Sequence, residues 1–124
     1  MLNKKTKISV IGQGYVGLPL TIEFSKKYKK VVGFDNSLSR IKQIKQKIDI
    51  NREVSKLAFK KAKNIKFTNE EENIKNSDFF IITVPTPINK KNLPDLESIK
   101  SASKIVGKQI KKNSIIIYES TVFP

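Results

Sequence analysis

Apolar positions along the chain switch repeatedly between two spacings. Ile8-Ser-Val-Ile11 is a short β run, Val16, Leu20 and Phe24 then recur at helical intervals, and Val31-Val-Gly-Phe34 is apolar again. Leu38, Ile41, Ile44 and Ile48 predict a helix over 37–48 with Asn36 or Ser37 as its cap. Val54, Leu57, Ala58 and Ala62 predict a second helix over 52–63. Ile65 to Phe67 is a short strand, and Thr68-Asn-Glu-Glu-Glu-Asn73 opens a helix of one or two turns with its acids at the positive end. Asp78 to Val84 is an unbroken apolar strand of the kind buried on both faces of a parallel sheet, ended by Pro85 and Pro87. After a polar loop, Pro94 and Asp95 open a helix carrying Leu96, Ile99, Ala102, Ile105, Val106 and Ile110 to about Lys112. Ser114 to Tyr118 is a fifth, buried-looking strand. Strands alternating with helices predict an α/β fold. The right-handed crossover rule makes it a Rossmann-type doubly wound parallel sheet of about five strands, in the order 3-2-1-4-5. Such sheets often add a sixth strand, so residues 1–124 read as one domain that is an incomplete module with an open sheet edge.

Within this pattern the segment Gly12-Gln-Gly14-Tyr-Val-Gly17 falls between the first strand and the first helix, and Asp35 stands at the tip of the second strand. This is the context that a dinucleotide-binding turn requires. Gly12 permits a tight turn, Gly14 lets main-chain amides approach a pyrophosphate at the helix N-terminus, and Gly17 permits close helix packing. Asp35, near the expected spacing of about 20 residues, would accept hydrogen bonds from a ribose diol and repel a 2′-phosphate, which favours NAD over NADP. Arg40 leaves three alternatives open: a 2′-phosphate contact, a place against an adenine face, or a solvated helix surface.

The composition narrows the chemistry further. The 124 residues contain no Cys and no His, which removes disulfides, thiolate metal sites and a thiol nucleophile, and makes zinc chemistry unexpected. A net charge of +14 suggests nucleic acid, but nearly all the cations are Lys scattered over helix faces and turns, with two Arg and no interleaved aromatics. A solvated surface explains them better. No apolar run approaches the ~20 residues of a membrane span, and the basic start lacks the longer apolar stretch of a signal peptide. A cytoplasmic protein with neither nucleic acid nor membrane as partner is expected.

Two more segments end strands on the side where such sheets bind ligands: Val84-Pro85-Thr86-Pro87 and Glu119-Ser120-Thr121-Val-Phe-Pro124. Alone, Pro-Thr-Pro serves equally as a strand terminator, and Ser120 and Thr121 as ordinary end-of-strand hydroxyls. Their joint occurrence after a glycine turn favours function. Together, GYVGLPL, the Phe34-Asp35 pair, VPTP with Pro94-Asp95-Leu96, and ESTVFP resemble the N-terminal cofactor domain of the UDP-glucose/GDP-mannose dehydrogenase family, over essentially the whole chain. VPTPI followed by PDL, with Asp49-Ile-Asn-Arg-Glu53-Val, is more similar to the branch that oxidises UDP-N-acetylhexosamines.

The resemblance implies two-step NAD-dependent oxidation of a sugar C6 alcohol to the carboxylate, in polysaccharide precursor synthesis. It assigns Gly12, Gln13, Gly14, Tyr15, Val16 and Gly17 to the pyrophosphate, and Asp35 and Arg40 to the adenosine end. Pro85, Thr86, Ser120 and Thr121 fall in the nicotinamide region, and Thr121 matches the threonine that helps to position a catalytic water. A UDP-sugar substrate and a homodimer are implied for a full-length enzyme. The family's thiol nucleophile, catalytic Lys and Asn, and second sugar-binding domain have no counterpart in these residues. A threonine without an adjacent base is a weak nucleophile, so the chain alone is expected to be inactive. Two other readings compete: a cofactor domain like those of 6-phosphogluconate and 3-hydroxyisobutyrate dehydrogenases, and a nucleotide-sensing regulatory module.

Overall fold

The computed structural model describes residues 3, 5–46, 57–58, 62, 64–85, 90–93 and 95–119. Five strands, β1 (Lys7–Ile11), β2 (Lys30–Phe34), β3 (Ile65–Thr68), β4 (Phe79–Ile82) and β5 (Ile115–Tyr118), form one sheet in the order β3-β2-β1-β4-β5, all parallel. Both the strand count and the order match the sequence pattern.

Register explains why the central strands are apolar throughout. Ile8 lies beside Val31 and Phe79, and Val10 beside Gly33 and Ile81, so these residues share one face. Helix α1 (Gly17–Ser25) covers it, with Leu20 and Phe24 packed against Ile8, Val10 and Ile81. On the other face Ile11, Phe34, Phe80 and Ile82 meet Ile74 and the Ala102 and Val106 side chains of α3 (Glu97–Gln109). Ser9 is a polar residue of β1 and is buried, and its hydroxyl is shared with Ser77 at 2.6 Å.

Helix α2 (Leu38–Lys45) begins at Ser37, whose Oγ accepts from the Arg40 amide at 3.2 Å. Of the helix expected over 52–63, only residues 57, 58 and 62 lie among those described. Leu57 and Ala58 are helical, and the Ala62 amide donates to the Ala58 carbonyl at 3.0 Å.

Three expectations are corrected. The helix expected from Thr68 is a four-residue 3₁₀ turn, Glu71–Ile74, because Thr68 still belongs to β3 and its hydroxyl accepts from Glu70 N and Asn73 Nδ2. Asn76 then takes a left-handed φ of 59°, which ends the turn before β4. Strand β4 is shorter than 78–84: it runs over Phe79–Ile82, and Thr83, whose amide still donates to the Ile11 carbonyl at 2.8 Å, and Val84 join a cleft wall. Strand β5 is not buried. Its four residues are 37 to 50% exposed, because among the described residues it is an edge strand, hydrogen-bonded to β4. Among the described residues no helix is long and apolar enough to cross a membrane.

Candidate functional site

The sheet ends in a cleft of about 880 Å³ at the carboxyl ends of β1, β2, β4 and β5. Its first wall is the glycine turn. After β1 the chain reverses at Gly12, whose φ of 99° suits glycine, and the Gly12 amide donates to the Phe34 carbonyl at 2.7 Å. Gly14 lines the cleft with open space around the position a Cβ would take. Tyr15 and Val16, both exposed, continue the same wall.

Helix α1 begins here without a side-chain cap and with no acidic residue in its first turn. A helix N-terminus carries roughly half a positive charge on amides that lack intrahelical partners. α2, by contrast, is closed by Ser37. The uncapped start of α1, beside a glycine with no side chain in the way, fits a diphosphate.

Asp35 and Asn36 form the second wall. The carboxylate is already oriented: Oδ2 accepts from the Gln13 amide at 2.7 Å and Oδ1 from the Ser37 amide at 2.9 Å. A carboxylate has about four acceptor sites, so two hydroxyls can still be received.

Arg40 is half-buried, and its Nε donates to the Gln13 carbonyl at 2.7 Å. It therefore braces the turn and is not simply a solvated surface arginine. The Gln13 side chain does not line the cleft. It is buried beneath the turn, with Nε2 donating to the Val10 carbonyl at 3.1 Å and to Thr21 Oγ1 at 2.9 Å, while Oε1 has no partner. Its main-chain N–H and C=O are held by Asp35 and Arg40, so Gln13 shapes the turn from within. Gly17, also expected at the site, is buried and packs against the turn instead of facing the cleft.

The third wall holds Thr83, Val84 and Pro85 after β4, and Glu119 after β5. Thr86, Ser120 and Thr121 lie outside the described residues. Their neighbours Pro85 and Glu119 both line the cleft.

Other cleft residues were not anticipated from the sequence. The Thr83 hydroxyl donates toward the carbonyls of Gly12, at 2.8 Å, and Ile11, at 3.1 Å, and so ties the turn to β4. Glu97, Ser98 and Ser101 on the first turns of α3 supply polar groups beside Ala102 and Ile105. Their signal is faint: small hydroxyls one helical turn apart, next to the apolar stripe of α3.

Known proteins resemble this chain over nearly its whole length. Residues 6–124 match the model of the UDP-glucose/GDP-mannose dehydrogenase family, NAD binding domain. The chain is 48% identical over 120 residues to a UDP-N-acetyl-D-glucosamine 6-dehydrogenase of Salmonella typhi, covering 97% of this chain and 28% of that protein. It is 49% identical over 117 residues to protein CapL of Staphylococcus aureus, covering 94% of this chain and 27% of that one. The solved UDP-N-acetylmannosamine dehydrogenase of Pyrococcus horikoshii superimposes with a TM-score of 0.86 at 31% identity, over 96% of this chain and 29% of that one. The chain thus spans a little over a quarter of the length of these relatives. With its glycine turn, its strand-tip aspartate and a match over nearly its whole length, the chain belongs to the UDP-glucose/GDP-mannose dehydrogenase family, as its NAD-binding domain.

Proposed function

We propose that this chain is the NAD-holding portion of a nucleotide-sugar 6-dehydrogenase that oxidises the C6 alcohol of a UDP-N-acetylhexosamine to the carboxylate. Two of the relatives named above are a UDP-N-acetyl-D-glucosamine 6-dehydrogenase and a UDP-N-acetylmannosamine dehydrogenase, which supports this substrate class over UDP-glucose. When bound, NAD supplies the hydride acceptor. The chain's own residues supply the seat. The uncapped start of α1 and the Gly14 main chain receive the diphosphate, and Asp35 receives the adenosine ribose hydroxyls. Thr86 and Thr121 belong to the nicotinamide side of the same reading, with Thr121 positioning water, and cytoplasmic location and dimerisation of a full-length enzyme go with it.

The observation that carries this proposal is the pairing of an uncapped helix start with an oriented carboxylate across one cleft. Titrating the purified chain with NAD tests it. Asp35→Ala is expected to weaken NAD by on the order of 1 to 3 kcal/mol, and unchanged affinity would remove Asp35 from the site. The chain has no Cys or His to serve as nucleophile or base. Incubation with NAD and UDP-sugars should therefore give no steady formation of reduced cofactor; sustained turnover would refute this part.

A further inference from the structure

Four hydrogen bonds close a ring that joins the glycine turn to the start of α2. The Gln13 amide donates to Asp35 Oδ2 at 2.7 Å, and the Ser37 amide donates to Asp35 Oδ1 at 2.9 Å. The Arg40 amide donates to Ser37 Oγ at 3.2 Å, and Arg40 Nε returns to the Gln13 carbonyl at 2.7 Å. Both main-chain polar groups of Gln13 are thus taken by the two side chains that the family resemblance assigns to the adenosine end of a nucleotide.

The flanking residues make this ring consequential. Gly12 and Gly14 on either side of Gln13 have no Cβ to restrict their dihedrals, so the turn has little intrinsic preference of its own. Its conformation must come from outside. The Gln13 side chain supplies one anchor, below the turn, through the Val10 carbonyl and Thr21 Oγ1. The Phe34 carbonyl and the Thr83 hydroxyl hold Gly12, and Asp35, just past β2, and Arg40, on α2, hold the main chain of Gln13. The direction of the amides after Gln13 decides whether they converge on a diphosphate, and misplacement of such donors is costly.

We propose that Asp35 and Arg40 are positioning residues for the glycine turn: by gripping the N–H and the C=O of Gln13 they orient the diphosphate-binding amides, separately from any contact with the ribose or adenine. This deepens the NAD assignment above and rests on it for its binding test. If Asp35 served only as a ribose acceptor, its removal would not affect a ligand that has no ribose hydroxyls to offer. If it also sets the turn, that ligand weakens too.

The experiment compares the wild-type chain with Asp35→Ala and Arg40→Met in two measurements. In the first, amide resonances are recorded for the ligand-free proteins. Both substitutions are expected to shift the Gln13 and Gly14 amides while the β4 and α3 resonances stay in place. In the second, each protein is titrated with NAD and with an NAD analogue whose adenosine ribose is 2′,3′-dideoxy. The analogue is expected to bind each variant about tenfold more weakly than it binds the wild type. Unmoved Gln13 and Gly14 resonances would overturn the proposal, and so would analogue affinities within twofold of wild type. Failure of the wild type to bind NAD at all would instead sink the functional assignment, and the ligand-free resonances would then decide the positioning role alone. Should Asp35→Ala not fold, the ligand-free Gln13 and Gly14 resonances of Arg40→Met carry the test, since they report the bond to the Gln13 carbonyl whatever else Arg40 touches in a bound nucleotide.

Discussion

The carbonyl oxygen of Gly12 lies 1.6 Å from the point where a Cβ on Gly17 would stand, and Thr83 Oγ1 lies 2.5 Å from the same point. The first residue of α1 therefore rests directly on the turn that precedes it, and no side chain fits between. Gly17→Ala is expected to push α1 off the sheet and to cost upward of ~3 kcal/mol, read as a lower urea midpoint.

Gly14 belongs to the same motif but should fail differently. A methyl there meets nothing within 4 Å, so Gly14→Ala should leave stability within about 0.5 kcal/mol of wild type. The methyl would occupy open space where Gly14 lines the cleft, and NAD affinity should fall by about tenfold or more. Equilibrium unfolding and cofactor titration of the two variants side by side distinguish packing from binding; equal stability losses would contradict this division.

Thr83 ties the end of β4 to the turn through its hydroxyl, 2.8 Å from the Gly12 carbonyl. Thr83→Val keeps the shape and deletes the donor, so it is expected to cost about 1 to 2 kcal/mol, whereas Thr83→Ser should recover most of that. Equal losses for Val and Ser in denaturant melts would mean that the methyl, and not the hydroxyl, matters.

Asp78 anchors the opposite end of the sheet. Lys111 Nζ lies 2.8 Å from Oδ1, and the Lys7 amide donates to Oδ2 at 2.8 Å. The hydrogen bond from the Lys111 ammonium, followed by that from the Lys7 amide, holds the Asp78 carboxyl below its usual value of 3.8. Because the folded-state value is depressed, the stabilisation is fully present above about pH 4 and is lost as pH falls through the folded value. Asp78→Asn should therefore destabilise the chain at pH 6 and much less at pH 2.5. Unfolding curves at the two values check this, and a pH-independent difference would contradict it.

Much of this architecture is legible residue by residue. The order β3-β2-β1-β4-β5 follows from alternating periods and a crossover rule, because both depend on local pattern and chirality. The glycine turn is equally legible, since the dihedral freedom at Gly12 and the closeness at Gly17 are demands on single positions. Where such local signals failed, neighbours decided. Ile115-Ile-Ile-Tyr118 has the composition of a buried strand, yet exposure depends on what lies alongside, and among the described residues β5 has a strand neighbour, β4, on one side. The acids after Thr68 mark a short helix correctly, but its later start and 3₁₀ form follow from Thr68 belonging to β3.

The amino-acid order thus settled the strand sequence, the place of the glycine turn and the position of Asp35 at a strand tip, since each is encoded in contiguous residues. Folding in three dimensions settled which groups meet: Thr83 with the Gly12 carbonyl, the serines of α3 with the cleft, and Gln13 with Asp35 and Arg40, 22 and 27 residues away along the chain. Hydrogen bonds are short-ranged and directional, so whether such pairs form depends on ångström-scale packing of whole elements, which no local pattern of residues records.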